Sequence, residues 1–341
     1  MIQIKAFLRK SLRLSILGSC GLLANEEIRW DDLIAAFPPL SYYEKRYETV
    51  QKEVTQRFDK YFGNYQFSQW KLDRSDDDIK EEYLRLCATR EQIWFDINTS
   101  IERSWRGDFR PCLELIQEDV VRSPNCICFD YNKINSYYNG SLVEEDGIRF
   151  LALEGPLDRT IPRFFDAIIE TDAPLLIRLT PEQENGVEKC APYWKGRLLK
   201  NDRLAIPRRQ GSLMDCKNIF YLATDEWKDN APVNAELLLN LVLKARSIYD
   251  PSKGPLAVHC SAGVGRTGTF IAGYCLIHEI DTQIASGVPI NELQLSVERL
   301  VARLSLQRYY LVGRAPQYLN LHQMIQIYLE KFTPPICLSE T

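Results

Sequence analysis

A glycine-rich loop between a buried strand and a helix constrains this chain of 341 residues more than any other feature. Residues 258–268 read VHCSAGVGRTG; the apolar run at 255–259 predicts a buried strand, and the residues from 267 on predict a helix with an apolar face. The loop therefore ends at a helix N-terminus. Unpaired backbone N–H groups and the positive end of the helix dipole favour a dianion such as phosphate there.

The residue types within the loop suit this chemistry. Two glycines let the backbone curl so that successive N–H groups point to one centre, and the planar fork of Arg266 can grip two phosphate oxygens. Cys260 lies at the floor of this cradle, where the same field favours a thiolate. The sequence thus predicts a nucleophile aimed at phosphorus, with phosphate bound by Ser261, Ala262, Gly263, Val264, Gly265 and Arg266. The alternative is a buried structural cysteine before an ordinary strand-to-helix turn.

The loop resembles the signature of the cysteine-dependent, tyrosine-specific protein tyrosine phosphatases, and four further segments resemble family motifs in the family's order. These are residues 154–157 (EGPL, for the family's QGPL), 189–194 (KCAPYW, for KCxxYW), 223–229 (ATDEWKD, for the mobile loop with Trp-Pro-Asp) and 307–318 (the C-terminal glutamine loop). The resemblance covers about residues 118 to 330. It implies an α/β fold in which helices flank a highly twisted, mixed β-sheet.

The resemblance also implies a role for each matched residue. Cys260 attacks the phosphate of phosphotyrosine and forms a phosphocysteine, which water then hydrolyses. Arg266 and the loop amides stabilise the transition state, and Thr267 donates a hydrogen bond to the sulfur. Asp229 is the general acid, and Gln317 orients the water. The implied substrate-binding residues outside the loop are Asn125 and Lys189.

Besides Glu154, three positions depart from the family's catalytic pattern. Ser123 falls where an aromatic ring usually stacks on the phosphotyrosine, Lys228 replaces the Pro beside the acid, and Gly313 replaces the first of two glutamines. A phosphotyrosine-binding, substrate-trapping module with weak or no turnover is therefore the alternative. Lipid phosphatases usually carry lysines in the signature loop, where this chain has Ala262 and Val264, and dual-specificity phosphatases generally lack the KCxxYW segment.

Length and pattern predict one catalytic domain at residues 76–335 and a mainly helical N-terminal extension of unknown role at residues 1–75. Residues 41 onward and 78–105 have apolar residues at helical spacing, the latter at Ile79, Tyr83, Leu84, Cys87 and Ile93. Alternating strand patterns at 150–153 and 174–179 with a helix at 162–170 favour an α/β domain.

Composition narrows the partners and the compartment. The net charge of −4 gives no global basic surface for nucleic acid or membrane. The family resemblance implies phosphotyrosine-containing proteins as partners. The ten cysteines are scattered, which favours a reducing compartment such as the cytoplasm and gives no pattern of zinc ligands. The family resemblance implies no metal or organic cofactor. The oligomeric state is not predicted.

The first 24 residues leave two interpretations open. Basic residues precede a short apolar stretch with the layout of a signal peptide, and residues 17–20 (LGSC) loosely resemble a lipoprotein cleavage site. The favoured interpretation is an amphipathic helix, because the charges lie within the apolar pattern.

An extension without a familiar regulatory domain is also similar, at fold level, to bacterial effectors secreted into a host cell.

Overall fold

The computed structural model describes residues 40–102, 111–112, 114–117, 120–135, 137–210, 213–228 and 234–332. The predictions for the first 24 residues and for Asp229 lie outside these ranges. Within them, no helix has both the length and the apolar character needed to cross a membrane.

A seven-stranded mixed sheet forms the centre of the fold. Its spatial order is β1-β2-β9-β3-β8-β7-β6, in which β2, β9, β3 and β8 run parallel and the outer pairs run antiparallel. The strands are β1 (Gly140–Glu145), β2 (Ile148–Leu153), β3 (Leu175–Arg178), β6 (Leu198–Leu199), β7 (Arg203–Gln210), β8 (Leu213–Ala223) and β9 (Leu256–His259). A separate hairpin pairs β4 (Gln183–Glu184) with β5 (Val187–Glu188). The predicted mixed sheet is confirmed.

Helices flank this sheet, as predicted. Among the described residues they are α1 (Leu40–Phe62), α2 (Asp76–Glu102), α3 (Glu114–Gln117), α4 (Ile161–Glu170), α5 (Ala235–Ile248), α6 (Gly265–Ala285), α7 (Val297–Gln307) and α8 (Ala315–Glu330). Local signals explain several starts: Asn234 and Ser296 cap α5 and α7 by accepting hydrogen bonds from backbone N–H groups, and Pro162 lies in the first turn of α4. Helix α6 packs on β2 and β9, behind the central strand.

The central position of β9 decides where the signature loop lies. His259 is in register with Leu153 of β2 on one side and with Arg178 of β3 on the other. The residues that follow these parallel strands therefore meet at one edge of the sheet, where α/β proteins generally bind ligands. Cys260 is the first residue after the middle strand of the three.

Helix α1 packs on the sheet domain, although it precedes residue 75. It contacts β1 and α7, its apolar stripe is buried, and the Tyr47 hydroxyl donates to the carbonyl of Phe150 at 2.9 Å. The buried residues of the stripe are Tyr43, Tyr47, Val50 and Val54. The domain boundary at residue 75 stays a prediction, but this helix is not a detached element.

Helix α2 corrects one detail of the apolar pattern. The sequence assigned Leu84 to the apolar face, yet its side chain is 64% exposed, while Leu86 is fully buried. The inner face instead follows Tyr83, Leu86, Arg90 and Ile93, because α2 packs on both α7 and α8. Hydropathy alone could not recognise this face, because it includes the buried but charged Arg90.

These two leucines give a direct test of α2 docking. Leu86→Ala should lower the free energy of unfolding by about 2–5 kcal/mol, because it leaves a cavity against α7 and α8. Leu84→Ala, on the same helix but exposed, should change it by less than about 0.5 kcal/mol. Urea denaturation measures both, and equal effects would contradict the assigned helix face.

Candidate active site

The residues after four neighbouring parallel strands converge around Cys260. Glu154 follows β2, Cys260 follows β9, the β4–β5 hairpin with Glu184 follows β3, and the segment with Trp227 follows β8. Cys260 is 3% exposed, so a substrate group must enter the site to reach its sulfur.

The backbone of the signature loop is oriented by its carbonyl groups. The carbonyl of Cys260 accepts from His259 Nδ1 at 3.0 Å, that of Ser261 from the Gly155 N–H at 2.8 Å, and that of Val264 from the Gly268 N–H at 2.8 Å. The side chain of Arg308 donates to the two carbonyls between them, those of Ala262 and Gly263. Within a planar trans peptide, the C=O and the next N–H point in opposite directions. The N–H groups of residues 261–265 therefore face away from these donors, toward the interior of the loop.

Arg308 is the fully buried side chain that holds the loop from behind. Its Nε donates to the Gly263 carbonyl at 2.9 Å and its Nη2 to the Ala262 carbonyl at 3.3 Å. The same guanidinium donates to Ser141 Oγ at 3.0 Å and to Asn139 Oδ1 at 3.2 Å. These contacts give Arg308 a structural role at the back of the signature loop.

Gly263 is required by the path of the loop. Its φ of 72° lies in the left-handed region, and a Cβ there would lie 2.2 Å from the Leu153 carbonyl oxygen. The signature loop thus passes directly over the end of β2, with no room for a side chain at this point.

Arg266 lies in the first turn of α6 and is almost completely buried. Its Nη1 donates to the Trp227 carbonyl at 2.7 Å and lies 3.9 Å from Glu184 Oε2. The carboxylate orients the guanidinium, and the contact with Trp227 joins it to the segment that precedes Asp229. Lys228 is exposed at the end of that segment.

Thr267 and Gln317 contribute buried polar groups beside the loop. Thr267 Oγ1 and Gln317 Oε1 are buried and form no hydrogen bond within the described part of the chain. The Gln317 amide lies against Gly265, because a Cβ added to that glycine would be 2.7 Å from Gln317 Nε2. Both groups are available to a ligand or to the sulfur.

His259 is held as a neutral imidazole. Its Nδ1 must donate to the Cys260 carbonyl, so its Nε2 accepts from the Tyr193 hydroxyl at 2.7 Å. Burial lowers the pKa of His259 to about 3, which the hydrogen bond to Cys260 opposes only partly. A histidine that stays neutral with both nitrogens engaged supports the loop and is not a proton acceptor for the thiol.

The substrate-binding residues predicted outside the loop lie at its rim. Asn125 is exposed in a turn that the Cys126 N–H closes by donating to the Ser123 carbonyl at 2.9 Å. Lys189 is half-buried, and its backbone N–H donates to the Glu182 carbonyl at 2.8 Å. Arg122 braces the turn by donating to the carbonyls of Gly155, Pro156 and Glu188.

The loop before Gln317 is strained and is held by α2. Tyr310 and Val312 have φ values of 68° and 56°, which are uncommon for residues with a Cβ, above all for a β-branched one. The Val312 carbonyl accepts from Arg90 at 3.1 Å and from the Tyr83 hydroxyl at 3.2 Å. Helix α6 presses on the other side, since a Cβ at Gly268 would lie 2.4 Å from the Val312 nitrogen.

One cluster of metal-ligand types occurs among the described residues, away from the signature loop. It comprises Cys112, Glu114 and Asp130. The ammonium of Lys133 lies 3.0 Å from Glu114 Oε1, 3.1 Å from Asp130 Oδ1 and 3.7 Å from Cys112 Sγ. This amine already balances the carboxylates, so the donor set does not fit a metal ion.

Sequence reasoning missed the role of Asn139 and of the Glu154 side chain. Asn139 Oδ1 accepts from Arg308 and from the Cys128 N–H, while its Nδ2 donates to the Cys126 carbonyl at 3.0 Å and to Glu154 Oε2 at 3.1 Å. The Asn-Gly pair at 139–140 is typical of a turn and gave no sign of this role. For Glu154, the signal was its substitution for the Gln of QGPL.

The chain belongs to the protein-tyrosine phosphatase family. The sequence profile described as "Protein-tyrosine phosphatase" matches residues 117–221 and 208–326, which together exceed half of the chain. Receptor-type tyrosine-protein phosphatase C of Mus musculus is 26% identical over 298 residues, covering 77% of this chain and 22% of the relative. Protein-tyrosine-phosphatase PTP1 of Arabidopsis thaliana is 28% identical over 250 residues, covering 62% of this chain and 71% of the relative. The chain thus spans about a fifth of the length of the first curated relative.

Solved structures show the same fold. The Trypanosoma cruzi protein tyrosine phosphatase TcPTP1 aligns with a TM-score of 0.55 at 21% identity, covering 72% of this chain and 92% of its own. A structure of PTPN18 aligns with a TM-score of 0.59 at 20% identity, covering 75% and 97%.

The support of His259 by Tyr193 can be measured. Tyr193→Phe removes the hydroxyl and leaves the buried Nε2 of His259 without its donor, so the free energy of unfolding should fall by about 1–3 kcal/mol. Tyr137→Phe, at an exposed tyrosine, should change it by less than about 0.5 kcal/mol. Denaturant titration distinguishes the two, and an unchanged Tyr193→Phe variant would contradict the assigned hydrogen bond.

Proposed function

We propose that this protein hydrolyses phosphotyrosine in proteins by way of a phosphocysteine on Cys260. The observation that supports this most is the orientation of the signature loop: donors behind it hold its carbonyls, and its N–H groups turn inward beside Cys260. Arg266 adds a charged donor at the start of α6. A buried thiol in a ring of amides and a guanidinium suits a phosphate ester bound through its oxygens.

The first step transfers the phosphoryl group from oxygen to sulfur. The Cys260 thiolate forms a bond to phosphorus as the bond to the tyrosine oxygen breaks, and the phenolate leaves with a proton from Asp229. Arg266 and the amides of residues 261–266 stabilise the charge on the three equatorial oxygens. Trp227, held by its carbonyl on Arg266, ties the segment that carries Asp229 to bound phosphate.

The second step releases phosphate. Water attacks phosphorus and gives a proton to the Asp229 carboxylate left by the first step, the bond to sulfur breaks, and the thiolate of Cys260 is regenerated. Thr267 Oγ1 stabilises that thiolate as it leaves, and Gln317 orients the water. The absence of an amide side chain at position 313 leaves this step with one glutamine.

The decisive test compares substrates on wild type and on a cysteine variant. Wild type should hydrolyse a phosphotyrosine peptide, with reductant and without metal, and should leave a phosphoserine peptide and a phosphoinositide unchanged. Cys260→Ser should lower kcat by at least about 1000-fold, because the nucleophile is lost. Cys216→Ser, at an exposed cysteine, is the matched control and should retain full activity. Tight binding of the peptide by wild type without any turnover would support the substrate-trapping alternative.

Position 313 predicts which step limits turnover. With p-nitrophenyl phosphate, wild type should show a burst of about one equivalent of nitrophenolate, because the phosphoenzyme accumulates. Gly313→Gln should raise kcat about tenfold and diminish the burst, since a positioned group contributes about 10²–10⁴ to such a step. A Cβ at position 313 would lie 3.1 Å from the Tyr310 carbonyl oxygen, so this loop must shift by a few tenths of an ångström to take the side chain. Gly313→Ala adds the Cβ without the amide and should leave the burst intact; stopped-flow traces without a burst in wild type would refute slow hydrolysis.

A further inference from the structure

Glu154 is a buried carboxylate between the signature loop and the turn at residues 123–126, which we call the substrate turn. It directly follows β2 and is 2% exposed. Its Oε1 accepts from the backbone N–H of Ser123 at 2.6 Å, and its Oε2 accepts from Asn139 Nδ2 at 3.1 Å. Ser123 begins the turn that carries Asn125. One side chain thus holds the backbone at the rim of the site.

The second contact links Glu154 to the loop that cradles phosphate. Asn139 Oδ1 accepts from Arg308, and Arg308 donates to the carbonyls of Ala262 and Gly263. The backbone of Glu154 is fixed as well, since its N–H donates to the Asn139 carbonyl at 3.1 Å and its carbonyl accepts from the Tyr138 hydroxyl at 2.7 Å. The carboxylate therefore connects the substrate turn to the signature loop through hydrogen bonds.

We propose that Glu154 is a positioning residue whose ionised carboxylate holds the substrate turn over the phosphate cradle, and that protonation of this carboxylate releases the turn. The inference rests on the proposed function, because it assigns a role to the turn in binding the phosphotyrosine peptide. It makes peptide binding dependent on pH through a residue that does not touch the phosphate.

The chemistry of its partners makes Glu154 sensitive to a proton. The groups that it faces, the backbone N–H groups of Ser123 and Arg122 and Asn139 Nδ2, are all donors, so a protonated carboxyl would place an O–H against one of them. Asn139 cannot turn its oxygen toward Glu154 without leaving Arg308 and the Cys128 N–H. Protonation must therefore cost one of these hydrogen bonds.

The charge of Glu154 changes in the neutral range. Burial raises its pKa to about 7, against the opposing effect of the hydrogen bonds from Asn139 and Ser123 and of the Arg308 charge. The guanidinium groups of Arg122 and Arg308 are its charged neighbours, while burial raises the pKa of Cys126 to about 11 and that of Tyr138 well above its ordinary value.

Glutamine at this position gives the matched variant without a titratable group. In Glu154→Gln the side-chain oxygen can still accept from Ser123, whereas the amide NH₂ faces Asn139 Nδ2, donor against donor. The variant should thus behave at every pH like the protonated wild type. Glu145→Gln is the control: Glu145 is a second buried carboxyl, 4% exposed, with a pKa raised to about 7 by burial, but it pairs with Arg303 at the far end of β1.

Hydrogen–deuterium exchange measures whether Glu154 holds the substrate turn, and it does not require turnover. Between pH 8 and pH 6, protection of the segment 120–128 in wild type and in Glu145→Gln, corrected for intrinsic rates, should fall about three- to tenfold, the effect of one lost hydrogen bond. In Glu154→Gln it should be low and constant. Wild-type protection that stays constant over this range would overturn the inference, whether or not the glutamine variant folds.

Kinetics test the consequence for substrate. For a phosphotyrosine peptide, the ratio of the wild-type KM to the Glu154→Gln KM should rise about three- to tenfold from pH 8 to pH 6. Taking this ratio cancels the titration of the substrate phosphate itself. The corresponding ratio for kcat should stay flat. A flat KM ratio, or a step in kcat instead, would refute the positioning role.

The two experiments separate this inference from the function on which it rests. No turnover in wild type at any pH would reject the phosphatase, while exchange would still decide whether Glu154 holds the turn. Turnover abolished by Cys260→Ser, together with exchange that is independent of pH, would reject Glu154 alone.

Discussion

The pairing of five consecutive carbonyl groups in the signature loop is the constraint on which the rest of the site depends. A loop can present its N–H groups to an anion only if its carbonyls point outward, and buried carbonyls need donors. His259, the Gly155 N–H, Arg308 and the first turn of α6 supply those donors. Much of the surrounding structure exists to hold them: Tyr193 fixes the histidine, and Asn139 fixes the arginine. The conformation of the signature loop is therefore fixed by groups that lie outside it.

The sheet order explains why these donors can come from distant parts of the chain. Strand β9 is inserted between β2 and β3, so the residues after all three strands share one edge. Gly155 reaches the loop from β2, and Arg308 reaches it from the end of α7. Because these contacts are buried, water cannot replace a lost donor, and each is worth more than a similar contact at the surface.

Helix α2 extends this support to the loop that precedes Gln317. Two residues with positive φ lie just before it, and such backbone persists only where the surroundings hold it. Arg90 and Tyr83 do so through the Val312 carbonyl. The helical segment before the sheet is thus part of the site's architecture. It thereby supports the backbone that leads into α8, where Gln317 lies.

Much of this arrangement was predictable from sequence, and the limit lies where contacts become long-range. Strand, loop and helix around Cys260 follow from hydropathy and glycine spacing, and β2, β3 and α4 lie within a few residues of their predicted bounds, because local patterns encode local structure. The long β7–β8 hairpin and the inner face of α2 escaped prediction. The described parts of β7 and β8 mix buried and partly exposed side chains, and the inner face of α2 includes the buried Arg90, so only tertiary packing decides which side chains are buried.

The sequence by itself determined the chemistry: a cysteine before a helix N-terminus, an arginine one turn on, and glycines where no side chain fits. Tertiary structure decided which groups hold that chemistry in place. Glu154 lies more than 100 residues before Cys260, and its partners Ser123 and Asn139 lie in other segments again. Its burial, its raised pKa and its two donor partners are properties of the fold, because desolvation and hydrogen-bond geometry exist only once these segments have come together.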